Sequence, residues 1–480
     1  MSESWANHGL DLHLNLAGSR VRAGLEAALR DALRTGRLPA GVRLPSSRDL
    51  AADLGIARNT VAEAYAQLVA EGWLTARTGS GTWVSERPVA AAALVDAPAR
   101  PSRGPRFDLR AGVPAVSVFP RREWLAATRA ALAAAPDDVL GYPDPRGLRE
   151  LRVALAGYLA RTRGVNADPE RIIICGGFAH GLALTCRLLG DRGVRCLAVE
   201  SYGHQAYRRI VQAHGLSAIP LAVDNEGALP ADLDASVGQP DGAGAVLLTP
   251  AHQFPLGMSL APGRRTAFVT WAARTGGLVI EDDYDGEFRY DRQPVGAMQP
   301  LAPDHVVYAG TASKSLAPGL RLGWLVVPQA LAAEYLAAKE AFGWHNSALD
   351  QLALARLIES GGYDRQVRRA RLIYRRRRDR LVAALQRHAP RVRLTGIAAG
   401  QHAVAALPDE VIEDDVVARA ARHGLSVDGL GHYAHEATAS APDVGGREWR
   451  PALVVGYGRP PEHAFTAALG RLCATLAEVT

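Results

Sequence analysis

Lysine is nearly absent from this sequence. Of its 55 lysines and arginines only two are lysine, Lys314 and Lys339, so the chain uses arginine almost wherever a cation is needed. An amine can lose its proton and form an imine, whereas a guanidinium cannot. A retained lysine is therefore a candidate for amine chemistry. Lys339 lies in the helical pattern LAAEYLAAKEAF and is most simply interpreted as a solvated surface charge.

Other scarcities exclude several classes of protein. The four cysteines show no CxxC spacing and no paired histidine, which argues against a metal site or disulfides. No run of 18 apolar residues and no signal-peptide pattern appears, so we expect a cytoplasmic protein that does not span a membrane. A chain of 480 residues with 48% hydrophobic residues predicts two or three globular domains. The formal charge of +6 permits nucleic-acid binding without demonstrating it.

The N-terminal segment has the pattern of a winged helix-turn-helix. Apolar residues recur at helical spacing over 19–35, and two further helices are predicted in LPSSRDLAADLGIARNTVAEAYAQLVAEGW, with a turn at Gly55. The segment WLTARTGSGTWV (73–84) then predicts two strands around a Gly-Ser-Gly tip. The last helix would present its N-terminal end to the major groove of DNA.

The spacing LPSSRxLAxxLGxxRxTVxxAYxxLxxEG resembles the DNA-binding domain of the GntR family. Residues 1–85 hold nine arginines and eight acidic residues, so bulk charge does not argue for DNA, and helix-turn-helix patterns also occur as structural hairpins. The resemblance implies binding of double-stranded promoter DNA. Its implied contacts are Arg48, Arg58, Asn59 and Thr60, with Thr78 and Gly79 in the wing.

A change of composition divides the chain. Residues 86–106 are rich in Ala, Pro and Arg without amphipathic period, which predicts a linker between domains at 1–85 and 107–480. Beyond it, short apolar strands alternate with helical segments to the end of the chain. This pattern predicts an α/β domain with a mostly parallel sheet and helices on both faces. The predicted strands include 171–177, 194–200, 243–250, 276–283 and 306–310.

Three motifs follow such strands, where α/β proteins gather their chemistry. GGFAHG (176–181) opens a helix and can bind phosphate, although glycine there can also serve backbone geometry alone. ESYGHQAY (200–207) brings Tyr202 and His204, whose ring can stack on a planar cofactor or be an ordinary loop histidine. TPAHQFPLG (249–257) places His252 and Gln253 as donors at the next strand end.

The motif VIEDDYDGEF (279–288) places a carboxylate, Asp282, at the end of a buried strand, with Tyr284 two residues on. Such a pair can keep a pyridine nitrogen protonated while the phenol bonds the ring oxygen. An acidic loop that binds nothing is an alternative. A Mg²⁺ site is another, but no companion phosphate chemistry supports it, and we predict no metal.

Lys314 lies in a Gly/Thr/Ser turn after the strand at 306–310, and Arg321 follows seven residues later. This suits a Schiff-base lysine beside hydroxyls and an arginine that hold a phosphate. Taken alone, the same residue could be an ordinary loop lysine.

Together these motifs resemble the aspartate aminotransferase superfamily of pyridoxal-phosphate fold type I, over residues 107–480. The joined architecture resembles the MocR/GabR subfamily of bacterial transcription regulators, which implies pyridoxal 5′-phosphate as cofactor and a homodimer. Lys314 would form the imine, Asp282 would pair with the pyridine nitrogen and Tyr284 with the ring hydroxyl. The remaining cofactor contacts would be Gly177, Phe178, Ala179, Thr311, Ser313 and Arg321 around the phosphate, with His204 and His252 beside the ring.

The sequence also departs from the superfamily pattern. The usual E-(D/N)-P-G-Y is Glu200-Ser-Tyr-Gly-His204, and the usual Pro-Thr-Gly is Pro255-Leu256-Gly257. In PALVVGYG (451–458), which is predicted to be a late strand, Val454 stands where aminotransferases commonly place the arginine that binds a substrate carboxylate. Arg450 and Arg459 flank this motif.

Without that arginine we predict a regulator that senses pyridoxal phosphate itself and controls vitamin B6 biosynthesis genes. We assign it no catalytic residue. One alternative is an amino-acid sensor of the GABA or taurine type, which would form an external aldimine with Arg450 or Arg459 on the ligand carboxylate. A second alternative is an active aminotransferase with an accessory DNA-binding domain.

Overall fold

The computed structural model describes residues 21–86, 106–234, 242–290, 295–343, 345–439 and 451–478. The chain divides into two compact units, one within Met1–Ser102 and one within Arg103–Thr480. Nearly all of the predicted linker, 86–106, lies outside the described residues. Within the described ranges, no helix combines the length and the apolar character needed to cross a bilayer.

The N-terminal unit is a winged helix-turn-helix, as predicted. Ser46 caps the second helix by accepting a hydrogen bond from the Asp49 amide at 3.2 Å, and Gly55 ends it in the left-handed conformation (φ 64°). The two wing strands are antiparallel, with Leu74 opposite Val84. The elements of the N-terminal unit are α1 (Val21–Arg34), α2 (Ser47–Leu54), α3 (Arg58–Ala70), β1 (Leu74–Arg77) and β2 (Gly81–Val84).

The larger unit alternates strands and helices through most of its length. Its strands are β3 (Phe107–Asp108), β4 (Ile172–Cys175), β5 (Cys196–Glu200), β6 (Ser217–Leu221), β7 (Val223–Asp224), β8 (Gly227–Ala228), β9 (Ala243–Leu248), β10 (Leu278–Asp283), β11 (Val306–Thr311), β12 (Gly323–Val326), β13 (Arg393–Thr395), β14 (His402–Ala406), β15 (Leu425–Ser426), β16 (Asp428–Gly429) and β17 (Ala452–Gly456). Its helices are α4 (Arg121–Ala134), α5 (Arg149–Arg163), α6 (Phe178–Asp191), α7 (Gln205–Ala213), α8 (Ala231–Asp234), α9 (Pro262–Thr275), α10 (Ala332–Ala341), α11 (Ala348–Glu359), α12 (Gly362–His388), α13 (Glu413–Arg422), α14 (Glu436–Ala439) and α15 (Glu462–Ala477).

A seven-stranded, mostly parallel sheet forms the centre of this unit, in the order β4-β12-β11-β10-β9-β5-β6. Only β12 runs antiparallel to its neighbours. Alternate residues of β10 pack on opposite faces: Val279 lies in one apolar cluster with Phe268 of α9, and Ile280 lies in another with Leu182 of α6. The predicted α/β fold with helices on both faces is therefore confirmed.

The C-terminal part differs from the predicted alternation. Strands β13, β14, β17 and β16 form a separate antiparallel sheet, in which Val454 of β17 pairs with Val404 of β14. The strand predicted at 451–458 is therefore present but does not belong to the parallel sheet. Antiparallel pairing between segments about fifty residues apart leaves no local signal in the sequence.

The interpretation of Lys339 as a solvated surface charge is wrong. This residue of α10 is 1% exposed, and its Nζ donates hydrogen bonds to the carbonyls of Pro145 and Ile174 at 2.6 and 2.5 Å. It lies four residues after Tyr335, which is fully buried, so both side chains are on the helix face packed against the body of the unit. Burial lowers the pKa of Lys339 to about 8.

Candidate functional site

A pocket lies at the carboxyl ends of the parallel strands. Glu200 ends β5, Thr249 follows β9, Asp282 lies near the end of β10 and Lys314 follows β11. Because neighbouring parallel strands end at the same edge of a sheet, these four residues meet although they span more than a hundred positions. The pocket is lined by Gly112, Glu200, Tyr202, His204, Tyr207, Thr249, Phe254, Asp282, Tyr284, Asp285, Lys314, Gln401 and His402, among others.

Lys314 points into this pocket with its ammonium group largely removed from water. Its Nζ donates a hydrogen bond to the carbonyl of Gly112. Desolvation lowers the pKa of Lys314, and the carboxylates of Asp285 and Asp282 partly oppose that shift. A lowered pKa increases the fraction of free amine, which is the form that attacks a carbonyl carbon.

Asp282 is 3% exposed, and its Oδ1 has no hydrogen-bond partner among the described residues. Desolvation raises the pKa of this carboxyl well above its ordinary value, and Lys314 opposes the rise. A buried carboxyl oxygen without a donor costs free energy, so the fold is more stable when a ligand supplies one. A protonated pyridine nitrogen is such a donor.

Tyr284, His252 and Asp285 form a hydrogen-bonded group beside Asp282. Nδ1 of His252 lies 2.9 Å from Oδ2 of Asp285 and 3.1 Å from the Tyr284 hydroxyl. A carboxylate oxygen accepts hydrogen bonds, so Nδ1 of His252 donates its proton to Asp285 and cannot accept one from Tyr284. The phenol proton of Tyr284 is therefore available to a ligand oxygen.

His402 extends this group through its ring contact with His252, with the two centroids 5.1 Å apart. His252, Asp285 and His402 each bring one potential metal-ligand atom to within 4.8 Å of the others. Both rings already use one nitrogen in hydrogen bonds, that of His402 donating from Nε2 to the Pro255 carbonyl at 3.0 Å. Burial lowers the pKa of His402 well below its ordinary value, so its ring is neutral.

The turn before α6 forms a cradle beside Arg321. Gly177 has φ 89°, and a Cβ placed on it would lie 3.6 Å from Nη1 of Arg321. The first amides of α6, at Phe178 and Ala179, belong to a helix N-terminus, which favours an anion. Arg321 has φ 51° and is the one non-glycine residue with positive φ in the described ranges. Backbone strain of this kind is concentrated at functional sites.

Two hydroxyl groups complete the cradle. Thr311 Oγ1 donates to Ser313 Oγ at 2.8 Å and accepts from the Ser313 amide at 3.1 Å. In the sheet register Gly323 lies opposite both Thr311 and Cys175, and a Cβ there would be 2.7 Å from Cα of Gly177. The absence of a side chain at Gly323 therefore lets the hydroxyl pair and the Gly177 turn approach each other.

His204 lies in the pocket wall. Its ring stacks on Phe254, with centroids 4.0 Å apart and planes 12° apart, and its centroid is 5.0 Å from that of Tyr207. Burial lowers the pKa of His204 to about 3, so the imidazole is neutral and presents an uncharged face. A neutral flat ring in this position suits stacking on a planar cofactor.

Several pocket residues were missed by sequence reasoning. Gln401 donates from Nε2 to the Lys314 carbonyl at 3.0 Å, and Thr249 donates through its hydroxyl to Glu200. Burial raises the pKa of Glu200 to about 7. The Gly-Gln-His run at 400–402 was a usable signal, since a glycine followed by two polar residues suggests a turn that carries side-chain donors. In the structure Gly400 has φ 68°. Gly112, far from every motif in the sequence, offered none.

No arginine replaces the missing carboxylate ligand among the described residues of β17. Val454 is fully buried in an apolar cluster. Arg459 forms an ion pair from Nε to Oδ2 of Asp108 at 3.1 Å, and Asp108 also binds Arg110. Arg450 lies outside the described residues.

In the N-terminal unit the predicted DNA contacts are accessible. Arg48, Arg58 and Asn59 are exposed on α2 and α3, and Thr60 is half-buried. No side chain caps α3, whose first residue is Arg58, so the amides of Arg58 and Asn59 can bind a phosphate, while the Thr60 amide donates to the Ala57 carbonyl at 3.0 Å. Thr78 and Gly79 are exposed at the wing tip. All six predicted contacts thus lie on this one small unit.

Comparisons with known proteins cover both units. Residues 107–408 match the family "Aminotransferase class I and II", and residues 22–84 match "Bacterial regulatory proteins, gntR family". The HTH-type pyridoxine biosynthesis transcriptional regulator PdxR of Corynebacterium glutamicum is 36% identical over 453 residues, covering 93% of this chain and 94% of the relative. The probable rhizopine catabolism regulatory protein MocR of Rhizobium meliloti is 33% identical over 415 residues, covering 82% and 83%.

A solved structure agrees on the fold. The kynurenine aminotransferase of Pyrococcus horikoshii superposes with a TM-score of 0.67 at 24% identity, over 78% of this chain and 91% of that one. Fold and matches together define a DNA-binding transcription regulator whose second unit has an aminotransferase fold. The chain belongs to the MocR/GabR subfamily of GntR-type transcription regulators.

Proposed function

We propose that this regulator binds pyridoxal 5′-phosphate at Lys314 and that occupancy by this cofactor is itself the signal it reports to promoter DNA. The genes it controls are then those of vitamin B6 biosynthesis. The observation that carries the proposal is that the largely desolvated amine of Lys314 shares one pocket with the buried carboxyl of Asp282, whose Oδ1 has no hydrogen-bond partner among the described residues.

The pocket, the hydrogen-bonded group around Tyr284 and the cradle beside Arg321 would each contact a different part of the cofactor. Asp282 holds the protonated pyridine nitrogen, and Tyr284 donates its free phenol proton to the ring oxygen, with His252 fixed beside it by Asp285. His204 covers a face of the ring. When bound, the cofactor supplies an aldehyde for covalent attachment to Lys314. Its phosphate is held by Gly177, Phe178, Ala179, Thr311, Ser313 and Arg321.

The missing arginine favours the cofactor over an amino acid as the signal. Selecting an amino acid from water normally requires a guanidinium that binds its carboxylate in a bidentate manner. Val454 is apolar and buried, and Arg459 is already paired with Asp108. Arg208 lines the pocket, but its guanidinium already donates hydrogen bonds to the backbone carbonyls of Gly203, Tyr433 and Ala434. The pyridoxine-biosynthesis regulator among the relatives supports the same choice.

The absence of a carboxylate-binding arginine at position 454 also supports a sensor rather than an enzyme, because an aminotransferase must bind two substrates through their carboxylates. We assign no catalytic residue, and we predict that transamination of any amino acid is far slower than the roughly 1–1,000 turnovers per second that are typical of enzymes. We also propose that two chains form a homodimer. Sedimentation velocity of the full chain measures this, and a monomer at micromolar concentration would contradict it.

The near absence of lysine makes attachment directly testable. Purified protein should show a visible absorbance band, and borohydride should fix the cofactor to the peptide that contains Lys314. Lys314→Ala should lose both the band and the adduct. Lys339→Met is the matched control, since it removes the one other lysine and should retain both. A full-strength band and adduct in Lys314→Ala would refute the assignment.

A second experiment separates the two candidate signals. Cofactor-free protein is titrated with pyridoxal phosphate while its affinity for the promoter region next to its own gene is followed by fluorescence anisotropy. We expect affinity to change with cofactor occupancy. Holo-protein is then titrated with a panel of amino acids and amines. A saturable spectral shift with one of these, matched by altered promoter affinity, would establish the amino-acid sensor instead.

A further inference from the structure

The most arginine-rich segment of the chain takes no part in the pocket. Helix α12 carries the run RRARLIYRRRRDR, in which Arg368, Arg369, Arg375 and Arg376 are exposed. None of these four has an ion pair or side-chain hydrogen bond with any residue in the described ranges. We call this set the arginine face.

The geometry of the helix places the arginine face on one side. Residues seven apart lie two turns apart, so Arg375 lies below Arg368 and Arg376 below Arg369, in two adjacent rows about 10 Å long. Leu372, which is 55% exposed, lies between the rows. One acidic residue, Asp379, follows on the same side.

Other arginines of α12 have a structural role, in which the guanidinium is hydrogen-bonded to groups of the same unit. Arg377 is 1% exposed and donates to Glu462 at 2.9 Å and to the Gly458 carbonyl at 2.9 Å. Arg371 donates to the Glu287 carbonyl at 2.9 Å. Both are satisfied within the fold, whereas the arginine face gathers four cations that repel one another, with the single acidic residue Asp379 on the same side of the helix. Such an arrangement weakens the helix unless an anionic partner offsets the repulsion.

The N-terminal unit has little charge of its own to hold DNA. Residues 1–85 contain nine arginines and eight acidic residues, and Arg22, Arg30, Arg34 and Arg37 are already in ion pairs with acidic residues. Sequence-independent affinity for DNA comes from neutralising phosphates and releasing their counterions. Since both units belong to one chain, binding of DNA by the N-terminal unit raises the local concentration of DNA for a basic surface of the larger unit that can engage the duplex at the same time.

We propose that the arginine face binds the phosphate backbone of the same DNA duplex that the winged helix-turn-helix reads. A duplex carries one negative charge per about 1.7 Å of axis, so a face about 10 Å long can meet about six phosphate charges. Guanidinium groups suit this partner because they bind phosphate oxygens in bidentate fashion. The contact is with the backbone and is independent of base sequence.

The test uses the full chain and a 40-base-pair duplex of random sequence. In the quadruple variant the four arginines become glutamine, which keeps helix propensity but removes the charge. The slope of log affinity against log salt should fall by up to about four, and affinity at 0.1 M salt should fall roughly 10- to 1,000-fold. Replacing the same four by lysine should restore most of the slope, because lysine also binds phosphate.

The matched control removes four exposed arginines from another part of the same unit: Arg187, Arg192, Arg195 and Arg209, all changed to glutamine. It has the same net charge as the quadruple variant and should keep the wild-type slope to within about one. Equal losses in both variants would show that bulk charge, not the arginine face, is responsible, and would overturn the proposal.

Two further outcomes would also overturn it. One is an unchanged slope in the quadruple variant. The other is a loss of binding to single-stranded RNA or heparin with duplex binding intact, which would make a different polyanion the partner. If the quadruple variant does not fold by circular dichroism, the two row variants (Arg368 with Arg375, and Arg369 with Arg376) decide, each with an expected slope loss of up to about two.

Discussion

A buried ion pair behind the pocket gives a sharp prediction about stability. Arg163 and Asp283 have side chains 1% and 2% exposed, and they meet in two contacts, Nε to Oδ2 at 2.6 Å and Nη2 to Oδ1 at 3.0 Å. The Tyr308 hydroxyl donates to the same carboxylate at 2.7 Å. Asp283 lies between Asp282 and Tyr284, so this pair fixes the end of β10 that presents both pocket residues.

Arg163→Ala removes the cation and leaves a buried carboxylate with one hydroxyl donor. Loss of one partner of a buried pair costs about 3–5 kcal/mol, because the remaining charge stays desolvated. Arg161→Ala is the matched control on the same helix. Its partner is Asp364, and with Arg161 58% exposed the pair should contribute no more than about 1 kcal/mol.

Urea unfolding monitored by fluorescence, fitted with a separate transition for each unit, measures both variants. The transition of the N-terminal unit should not move and serves as the internal reference. Arg163→Ala should also weaken cofactor binding, since the end of β10 loses its anchor. If Arg163→Ala costs no more than Arg161→Ala, burial is not what gives this pair its importance, and the reasoning fails.

Three further predictions concern single residues. Burial lowers the folded-state pKa of Lys339 to about 8, so the unfolded chain binds more protons between about 8 and 10.5. Stability should therefore rise by up to about 3 kcal/mol over that pH range, and urea midpoints of Lys339→Met should lack the rise. Gly177→Ala should lower cofactor affinity in equilibrium dialysis by placing a methyl group beside Arg321, whereas Gly193→Ala, also at positive φ but with open space around it, should not. Arg58→Ala should cost about 1–3 kcal/mol at the operator if this side chain reads a base; no change with any duplex would contradict its place in the interface.

Local pattern was enough to predict the central fold. Buried parallel strands appear in sequence as short continuous apolar runs, and each motif of the pocket follows one of them, so the order of strands and motifs could be read without a structure. Asp282 and Lys314 meet because adjacent strands β10 and β11 end together. The α/β pattern predicts that both strands end at the same edge of the sheet, whereas their adjacency is known only from the structure.

The features that sequence analysis missed or predicted wrongly depend on contacts between segments that are distant in the chain. The antiparallel sheet joins β14 to β17 across about fifty residues, and Gly112 reaches Lys314 from the far end of the unit. Lys339 is instructive, because its spacing from Tyr335 already placed it on the buried face. The carbonyls of Pro145 and Ile174 that make its burial tolerable come from other segments and have no signature near it.

The last prediction concerns Arg459, on which the choice of signal depends. Its side chain is 35% exposed and is held by Asp108, which Arg110 also binds. Gly112, four residues after Asp108, lines the pocket. If pyridoxal phosphate is the signal, Arg459→Ala should remove only a partly exposed ion pair of about 0–1 kcal/mol. In that case the promoter affinity of Arg459→Ala should respond to the cofactor as strongly as that of the wild type.

The alternative is that Arg459 breaks its ion pair with Asp108 and binds a ligand carboxylate. Some amino acid must then shift the spectrum of the wild-type protein and fail to shift that of Arg459→Ala. Arg110→Ala is the control, since it also breaks an ion pair to Asp108 but leaves Arg459 in place. An amino-acid response lost in Arg459→Ala and kept in Arg110→Ala would replace the cofactor with an amino acid as the signal.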